Sequence, residues 1–451
     1  MPETSTIAAF ATPSGTSALT VLRVSGTLAQ EIATHAFGGK NPRPRRANFG
    51  KYILQSGQPA DECVWTFFEG PASYTGEDML EISCHGNPFI SKRILADLFK
   101  RGCVPAQPGE FTRRAFLNGK MDLTQAEAVA NIISASTERS SSAAMRLLSG
   151  EFRARILGWN DILLELIAET ETQIDFSDEE IPDADDALFR EKIKNLRTEL
   201  KKTEDSAKYS EKMNTGVNVA ICGAPNAGKS SLLNAVVGFD RAIVSAEAGT
   251  TRDFISEKIE IGKHGINLVD TAGIRDTDAS EIEKAGILRA FKWSEKADLI
   301  VFVVDTAAPA PTLPPDFLKS ARPEKTLVVF NKIDLPPAFD RTNFLREYES
   351  VEISLVSGGA AETFKAKLVE ILEKKDIVPP DDILVVSARH AEHLRKAGEM
   401  LEEIERDVGN VPPEFVSAKL RDVSEDLAEI LGKFDNEKVL DKIFSTFCIG
   451  K

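Results

Sequence analysis

The sequence predicts a multidomain protein that combines an α+β domain, helical segments and an α/β domain with a mostly parallel sheet. Three observations lead to this prediction. Residues 1–120 contain short apolar runs separated by Gly and Pro, long helical patterns begin at Thr124 and return after Asp382, and strand and helix patterns alternate between them. We therefore expect an N-terminal domain at 1–120, a helical domain in two parts at 121–213 and 375–451, and the α/β domain at 214–374.

The N-terminal segment has the pattern of an α+β domain. Several short apolar runs are typical of strands, and the run from 88 to 100 has apolar residues at helical spacing. The strand-like runs are TIAAFA, ALTVLRVSG, YIL, VWTFF and MLEISCHG.

The helical segments show apolar stripes at spacings of three and four residues. Thr124 and Glu127 form a predicted T-x-x-E capping box at the start of the first segment. An acidic stretch from 175 to 186, which contains Pro182, is predicted to separate two helices. The stripes consist of Phe152, Ile156, Trp159, Leu163, Ile167, Thr170 and Ile174 before the α/β domain, and of Leu394, Ala397, Leu401 and Ile404 with Leu420, Val423, Leu427 and Ile430 after it.

The helices on the two sides of the α/β domain allow two arrangements. They form either one bundle into which the α/β domain is inserted or two independent helical appendages. Helix-pairing logic favours the single bundle, which requires the ends of the inserted domain to lie close together.

Composition and charge indicate a soluble, cytoplasmic globular protein. Of 451 residues, 42% are hydrophobic and 28% charged, and no run of 18 apolar residues could span a membrane. The first residues lack a signal-peptide pattern, and five scattered Cys without C-x-x-C argue against a disulfide framework and a zinc site. The net charge of −15 argues against a generally basic nucleic-acid surface, but residues 1–120 carry a balance of +3, which allows a local basic patch.

The α/β domain begins with a phosphate-binding motif. Residues 223–230 read GAPNAGKS, which matches G-x-x-x-x-G-K-[ST] between a strand pattern and a helix pattern. In this motif backbone N–H groups and the helix N-terminus hold phosphate oxygens. We expect Lys229 to reach the β- and γ-phosphates and Ser230 to bind Mg²⁺.

Four later segments stand in the order expected of a guanine-nucleotide hydrolase. GTTRD at 249–253 offers a threonine hydroxyl to Mg²⁺, and DTAG at 270–273 offers a carboxylate to Mg²⁺ through water and a Gly N–H to the γ-phosphate. In NKID at 331–334, Asp334 can accept from the N1–H and 2-amino groups of guanine, which adenine cannot offer together. Ser354 lies where a last base-contacting loop belongs. NKID makes the alternative, an ATP-binding relative, improbable.

The residue that positions the attacking water is not the usual one. Ile274 follows Gly273, and an apolar side chain cannot orient a water as Gln does. Glu281 and Glu283 are the candidates for this role. Oxygens for a monovalent cation could come from Asn226, Ser245, Glu247 and Thr250, although on the residues alone ordinary surface polar groups are the favoured interpretation.

Motifs at both ends of the chain make the assignment more specific. They are SYTGED at 73–78, EISCHG at 81–86, PGEFTRRAFLNGKMDL at 108–123 and CIGK at 448–451. With these motifs the chain resembles the bacterial tRNA-modification GTPase family MnmE, also called TrmE, over its full length, and the central domain resembles the Era-like GTPases.

This resemblance implies an architecture and an activity. It implies an N-terminal folate-binding domain that forms a homodimer, a discontinuous helical bundle and an inserted P-loop GTPase domain. Members act with a flavoprotein partner, MnmG, and add a carboxymethylaminomethyl or aminomethyl group to the wobble uridine of certain tRNAs, with 5-formyl- or methylene-tetrahydrofolate as the one-carbon donor. Their GTP hydrolysis is activated by K⁺ and requires two GTPase domains to approach each other.

The resemblance also assigns roles to residues. Mg²⁺ is expected at Ser230 and Thr251, K⁺ at Asn226, Ser245, Glu247 and Thr250, and folate at Arg23, Glu81, Lys120 and Lys451. Glu283 is expected to orient the water, and the length of 276–280 leaves Glu281 as the alternative. The expected catalytic residues are Glu283, Asn226, Lys229 and Thr251. The expected nucleotide contacts are Asn226, Ala227, Gly228, Lys229, Ser230, Ser231, Ser245, Thr250, Thr251, Asp270, Thr271, Ala272, Gly273, Asn331, Lys332, Asp334 and Ser354.

Two other functions fit parts of the sequence. A GTP-switched ribosome-assembly factor would need an appended basic RNA-binding domain, which the acidic helical segments and CIGK oppose. A folate-dependent aminomethyltransferase with incidental GTPase activity fits the N-terminal domain, but the nucleotide motifs are too complete for a relic. Cys448 lies near the folate site or is a small unreactive residue, and the sequence leaves both open.

Overall fold

The computed structural model describes residues 5–39, 41–175, 186–238, 256–270, 297–311, 313, 321–379, 384–432, 437–445 and 447–450. The chain forms two compact units. The first comprises Met1–Ile133, Met145–Leu196 and Glu399–Lys451, and the second comprises Ser134–Ala144 and Arg197–Gly398.

Strands and short helices make up the N-terminal part of the chain, a run of α-helices follows, a second group of strands comes after it, and α-helices lie toward the C-terminus. The strands are β1 (Ile7–Phe10), β2 (Leu19–Ser25), β3 (Ala47–Ile53), β4 (Pro59–Phe68), β5 (Met79–His85), β6 (Val104–Pro105), β7 (Val217–Gly223), β8 (Ser256–Ile261), β9 (His264–Asp270), β10 (Leu299–Asp305), β11 (Thr326–Asn331) and β12 (Glu349–Glu352). The α-helices are α1 (Ala29–Ala36), α2 (Pro88–Lys100), α3 (Glu110–Leu117), α4 (Leu123–Ser134), α5 (Glu138–Leu148), α6 (Glu151–Asp175), α7 (Asp186–Asp205), α8 (Ser210–Thr215), α9 (Lys229–Val237), α10 (Ala360–Lys374), α11 (Ala388–Asp407), α12 (Pro413–Ile430) and α13 (Glu437–Phe444).

The sheet of the first unit belongs to the N-terminal α+β domain. Its described strands run in the order β3-β4-β5-β2-β1-β6. Neighbouring strands are antiparallel except β1 and β6, which are parallel. Helices α1 and α2 bury their apolar sides against one face, where Ile32 and Leu98 join Leu22 and Ile82 in the core. The expected helix at 88–100 is confirmed, and Asn87 caps it by accepting from the N–H groups of the next turn.

The start of α4 corrects the predicted capping box. Asp122, not Thr124, supplies the capping side chain: its Oδ1 accepts from the N–H of Gln125 at 3.0 Å. Gln125 Oε1 accepts in return from the N–H of Asp122 at 3.0 Å, and Thr124 donates its hydroxyl to Asp122. The reciprocal pattern is that of a capping box shifted by two residues from the expected pair of Thr124 and Glu127.

Helices from both sides of the α/β domain pack together in the first unit. Ser424 of α12 donates to Asn160 of α6, and Arg421 pairs with Glu171 on the same two helices. The predicted stripe of α6 is buried from Phe152 to Thr170, as is the stripe of α12 from Leu420 to Ile430. This is the discontinuous bundle that the sequence favours over two separate appendages.

The second unit contains the α/β sheet. Its described strands run in the order β12-β11-β10-β7-β9-β8, all parallel except the hairpin of β8 and β9. The apolar runs of β10 and β11 are buried on both faces, as predicted for interior parallel strands. The expected fold class is therefore confirmed. In such a sheet ligands bind at the carboxyl ends of the strands, which places the candidate site at the ends of β7, β10 and β11.

Candidate nucleotide-binding site

The phosphate-binding motif lies between the central strand and the start of a helix. Strand β7 is paired with β9 on one side and β10 on the other, and it ends at Gly223. Helix α9 begins at Lys229, with Gly228 as its N-cap, and buries Leu232 and Val236 in the core. The strand, loop and helix start predicted for GAPNAGKS are thus present, and the helix N-terminus faces the loop.

Two glycines of the loop are required by close approach and by backbone conformation. Gly223 has a φ of +150°, and a Cβ on it would lie 2.2 Å from the carbonyl oxygen of Val303. Gly228 has a φ of +102°, and a Cβ there would lie 2.2 Å from Asn331 Nδ2. The loop also holds Asn226 at a φ of +62°, a conformation that Asn tolerates better than most residues. The loop can therefore keep this conformation only with glycine at these two positions.

Lys229 is folded back onto the loop. Its Nζ donates to the carbonyl oxygens of Gly223 at 3.1 Å and Ala224 at 2.8 Å, and the residue is buried. A cation held in this position lies beside the inward-facing N–H groups that would receive a phosphate. Cys222 precedes Gly223 in β7, and burial raises the pKa of its thiol to about 12, although the charge of Lys229 opposes this shift. The thiol is therefore neutral and unreactive.

The NKID segment contacts the phosphate loop directly. Asn331 Nδ2 donates to the carbonyl oxygen of Ala227 at 2.9 Å and is buried. Lys332 has a left-handed backbone with a φ of +64°, and its Nζ lies 2.6 Å from Asp305 Oδ2. The segment that would read the base and the loop that would hold the phosphates are therefore one connected structure.

Asp334 and Ser354 lie together on the base side of this edge. Ser354 Oγ donates to Asp334 Oδ1 at 2.6 Å, and Ser354 is buried whereas Asp334 is exposed. This hydrogen bond restrains the carboxylate, and no residue in the described part of the chain donates to its second oxygen. A carboxylate oriented in this way can accept two hydrogen bonds from a guanine edge.

The structure describes only part of the predicted site. It brings together Asn226, Ala227, Gly228, Lys229, Ser230, Ser231, Asn331, Lys332, Asp334 and Ser354 at the carboxyl edge of the sheet. Asp270 ends β9 beside Ile221 of β7, so its backbone lies at the same edge. The remaining predicted residues lie outside the described residues: Ser245, Glu247, Thr250, Thr251, Thr271, Ala272, Gly273, Ile274, Glu281 and Glu283.

Two of the predicted folate contacts, Arg23 and Glu81, form an ion pair in the first unit. Arg23 donates from Nε at 3.0 Å and from Nη2 at 2.8 Å to Glu81 Oε1, across the register of β2 and β5. The guanidinium carbon lies 5.3 Å from the centre of the Tyr74 ring and 5.7 Å from that of Phe111. Charge, carboxylate and aromatic faces are thus gathered at one place, the chemistry that a flat polar heterocycle requires.

The C-terminal residues reach this ion pair. Ile449 forms an antiparallel bridge with Pro108, and Arg23 Nη1 lies 3.5 Å from the carbonyl oxygen of Gly450. Cys448 is exposed. Lys120 donates to the carbonyl oxygen of Pro71 at 2.9 Å and makes no described contact with Arg23 or Glu81, and Lys451 lies outside the described residues.

Sequence reasoning missed three residues that the structure places at these sites. Asp305 pairs with Lys332, and Tyr74 and Phe111 lie against Arg23. A signal for Asp305 was present, because it is the single carboxylate at the end of the apolar run LIVFVVD. Tyr74 and Phe111 stand inside the SYTGED and PGEFT motifs, but no periodicity points to their shared position.

The glycine loop at the start of α9, joined to NKID at the carboxyl edge of a mostly parallel sheet, defines a P-loop protein of the GTPase class. Comparisons with known proteins agree. The family model described as the MnmE helical domain matches residues 123–448, and that of the GTP-binding protein TrmE N-terminus matches residues 6–120. The chain belongs to the MnmE family of tRNA modification GTPases, and it is a GTP hydrolase.

Individual relatives extend over the whole chain. The tRNA modification GTPase MnmE of Opitutus terrae is 42% identical over 452 residues and covers 100% of both chains, and that of Aquifex aeolicus is 40% identical over 449 residues and covers 99% of both. The G domain of the FeoB iron transporter of T. maritima is 27% identical over 34% of this chain and 98% of its own, with a TM-score of 0.25. Across the described residues, no helix has the length and apolar character needed to span a bilayer.

Proposed function

We propose that this chain is a K⁺-activated GTP hydrolase that modifies the wobble uridine of certain tRNAs in the cytoplasm. It acts as a homodimer with the flavoprotein MnmG and adds a carboxymethylaminomethyl or aminomethyl group. The one-carbon unit comes from 5-formyl- or methylene-tetrahydrofolate. The observation that carries this proposal is the hydrogen bond from Asn331 to Ala227, which joins a base-reading segment to a phosphate loop in a chain of this family.

The nucleotide is held by the loop, NKID and Ser354. Lys229 and the N–H groups of 226–231 bind the phosphates, and Asp334 reads the guanine edge with Ser354 as its support. Ser230 and Thr251 bind Mg²⁺ directly, and Asp270 binds it through a water molecule. The DTAG residues Thr271, Ala272 and Gly273 and the loop residues Ser245 and Thr250 complete the contacts.

Two further groups replace the missing water-positioning Gln. K⁺ bound by Asn226, Ser245, Glu247 and Thr250 supplies positive charge where it develops in the transition state. Glu283 orients the attacking water. The variants Glu283→Ala and Glu281→Ala distinguish the two acids: loss of turnover with intact GDP binding is expected for the first, and the same result for the second instead would reassign the role.

The folate site is formed by Arg23, Glu81, Lys120 and Lys451. The Glu81 carboxylate holds the amino and N–H groups of the pterin, and the cations hold carbonyl or carboxylate oxygens. The ion pair of Arg23 and Glu81 and the aromatic faces of Tyr74 and Phe111 support this assignment. Arg23 must exchange part of its contact with Glu81 for the ligand.

The experiment that tests the function is nucleoside analysis of tRNA from cells that lack this protein. We expect the modified wobble uridine to disappear and to return with the wild-type gene. A gene with Asp334→Asn should not restore it at normal GTP levels, because the guanine contact is lost, whereas Asp340→Asn, an exposed acid outside the site, should. Unchanged wobble nucleosides with altered ribosome profiles would favour the ribosome-assembly factor instead.

A further inference from the structure

Asp305 and Lys332 form an ion pair that the nucleotide motifs do not include. Lys332 Nζ lies 2.6 Å from Asp305 Oδ2, and Asp305 Oδ1 accepts from the N–H of Ala307 at 2.9 Å. Asp305 is the last residue of β10 and stands beside Asn331 in the parallel register. The carboxylate is therefore fixed by its own turn and in turn fixes the ammonium group of Lys332 at the carboxyl edge of the sheet.

The conformation of Lys332 points to a ligand. Its φ of +64° is unfavourable for a residue with a Cβ, and such outliers cluster at ligand sites. Its side chain is 34% exposed although the ammonium group is paired. Because Asp305 holds the ammonium group, the four-carbon stem is the part of Lys332 that can contact a flat apolar surface.

A second ion pair, next to the other end of β10, provides a comparison within the molecule. Asp298, directly before β10, accepts from the N–H of Asn218 at 3.0 Å and lies 3.2 Å from Lys212 Nζ. It thus repeats the arrangement of Asp305, with one oxygen on a backbone N–H and the other on a Lys. The difference is its place at the amino edge of the parallel strands, away from the edge where ligands bind.

We propose that Asp305 is a positioning residue for the nucleotide, because it holds Lys332 with its stem against the face of the purine ring. This inference rests on the proposed guanine site. A Lys that is ordered before the base binds loses less conformational freedom on binding. The stem contacts the ring face, which all purines share, so Asp305 contributes affinity without selecting guanine over hypoxanthine. Asp334, in contrast, contacts the edge on which these bases differ.

The test is a set of titrations of the full chain with GDP and with IDP, whose hypoxanthine lacks the 2-amino group. Asp305→Asn should weaken both affinities by the same factor, about five- to tenfold, the effect expected from ordering one long side chain. It should raise KM for GTP by a similar factor while kcat at saturating GTP is retained. Asp298→Asn, the matched control, should leave both affinities within twofold of wild type.

A double-mutant cycle tests whether Asp305 acts through Lys332. Lys332→Met and the double variant with Asp305→Asn should bind GDP equally weakly. Additive losses, or an Asp305→Asn variant that binds as tightly as wild type, would overturn the inference. Asp305→Ser, whose hydroxyl can still accept from Ala307, repeats the measurement if Asp305→Asn does not fold. A wild-type chain that binds no GDP would remove the proposed function itself, whereas normal wild-type binding with an unaffected Asp305 variant would remove only this inference.

Discussion

Gly228 is required by two neighbouring parts of the nucleotide site. It adopts a left-handed φ of +102°, and a Cβ on it would lie 2.2 Å from Asn331 Nδ2. That nitrogen donates to the carbonyl oxygen of Ala227, the contact between the loop and NKID. A side chain at this position would therefore strain the backbone and displace the base-reading segment at once.

We expect Gly228→Ala to weaken GDP binding by about 100-fold, from backbone strain combined with a lost buried hydrogen bond. Calorimetric titration with GDP measures the loss. The control is Gly358→Ala in the loop after Ser354, where a new Cβ meets nothing within 4 Å. Wild-type affinity in Gly228→Ala would show that the loop tolerates a Cβ and would contradict the described contact.

Asp61 and His85 form a hydrogen-bonded pair that is not part of the proposed nucleotide or folate site. Asp61 accepts from the backbone N–H of His85 at 2.8 Å and from its Nδ1 at 2.8 Å. Burial raises the pKa of Asp61, but the hydrogen bonds from His85 and from the N–H of Glu62 outweigh it, so the net pKa lies below its usual value. A carboxyl with a lowered pKa stabilises the fold at pH values above its unfolded pKa and loses this contribution as pH falls through the folded pKa.

Asp61→Asn should therefore lower the free energy of unfolding by about 1 kcal/mol at pH 7, the scale of one hydrogen bond to a charged group with an exposed partner. The difference from wild type should shrink below about pH 4, the usual pKa of Asp, and vanish at lower pH. Urea unfolding followed by circular dichroism at several pH values measures it. Glu62→Gln, an exposed neighbour on the same strand, serves as control, and a pH-independent difference would refute the role of the charge.

At this scale the sequence predicts motif residues well and pairings poorly. The residue types and spacing of GAPNAGKS and NKID predict a nucleotide site, and the described residues of both motifs lie at the carboxyl edge of the α/β sheet. The predicted cap at Thr124 and Glu127 is wrong because these residues satisfy the same pattern two residues after Asp122 and Gln125, which form the observed cap. The ion pair of Arg23 and Glu81 joins residues 58 positions apart, a separation that no local pattern encodes.

At the scale of elements, long periodic segments are predicted and short ones are missed. The apolar stripe of α6 and the continuous apolar runs of β10 and β11 each predict one type of element, and the observed burial agrees with the spacing of their apolar residues. Helices α1 and α3 have eight residues each, and β6 has two. Elements of that length complete too few periods to be recognised, and tertiary contacts decide their form.

The C-terminal segment 447–450 is another short element defined by its contacts. The N–H of Gly109 donates to the carbonyl oxygen of Cys448 at 3.4 Å, and Ile449 bridges Pro108. Gly450 has a φ of +96°, and a Cβ on it would lie 1.9 Å from the carbonyl oxygen of Phe10. Only glycine allows the segment to pass this close to β1 and reach Arg23.

We expect Gly450→Ala to detach the segment and weaken the binding of 5-formyltetrahydrofolate by about tenfold, the loss of one or two polar contacts. Titration of the full chain with this ligand measures the change. Gly158→Ala, in α6 with nothing within 4 Å of the new Cβ, should bind as wild type does. An unaltered affinity in Gly450→Ala would place the folate site elsewhere.

At the scale of the whole molecule, the compact units do not follow the segments read from the sequence. Residues 134–144 belong to the unit of the α/β sheet. Arg139 donates to the carbonyl oxygen of Pro379 at 2.5 Å, and a Cβ on Gly265 would lie 3.0 Å from Thr137 Cγ2. Helical periodicity locates a helix but does not reveal which neighbour receives it, so such boundaries depend on packing that composition does not encode.

The last prediction concerns two copies of the chain. If K⁺ completes the site when two nucleotide domains approach, GTP turnover should rise severalfold when Na⁺ is replaced by K⁺, and turnover per molecule should increase with protein concentration only in K⁺. Asn226→Gly should abolish the difference between the salts, because it removes the amide oxygen. It should retain GDP affinity, because glycine adopts the φ of +62° that Asn226 has. Equal rates in both salts for the wild-type chain would exclude the cation, and concentration-independent rates in K⁺ would exclude the approach of two copies.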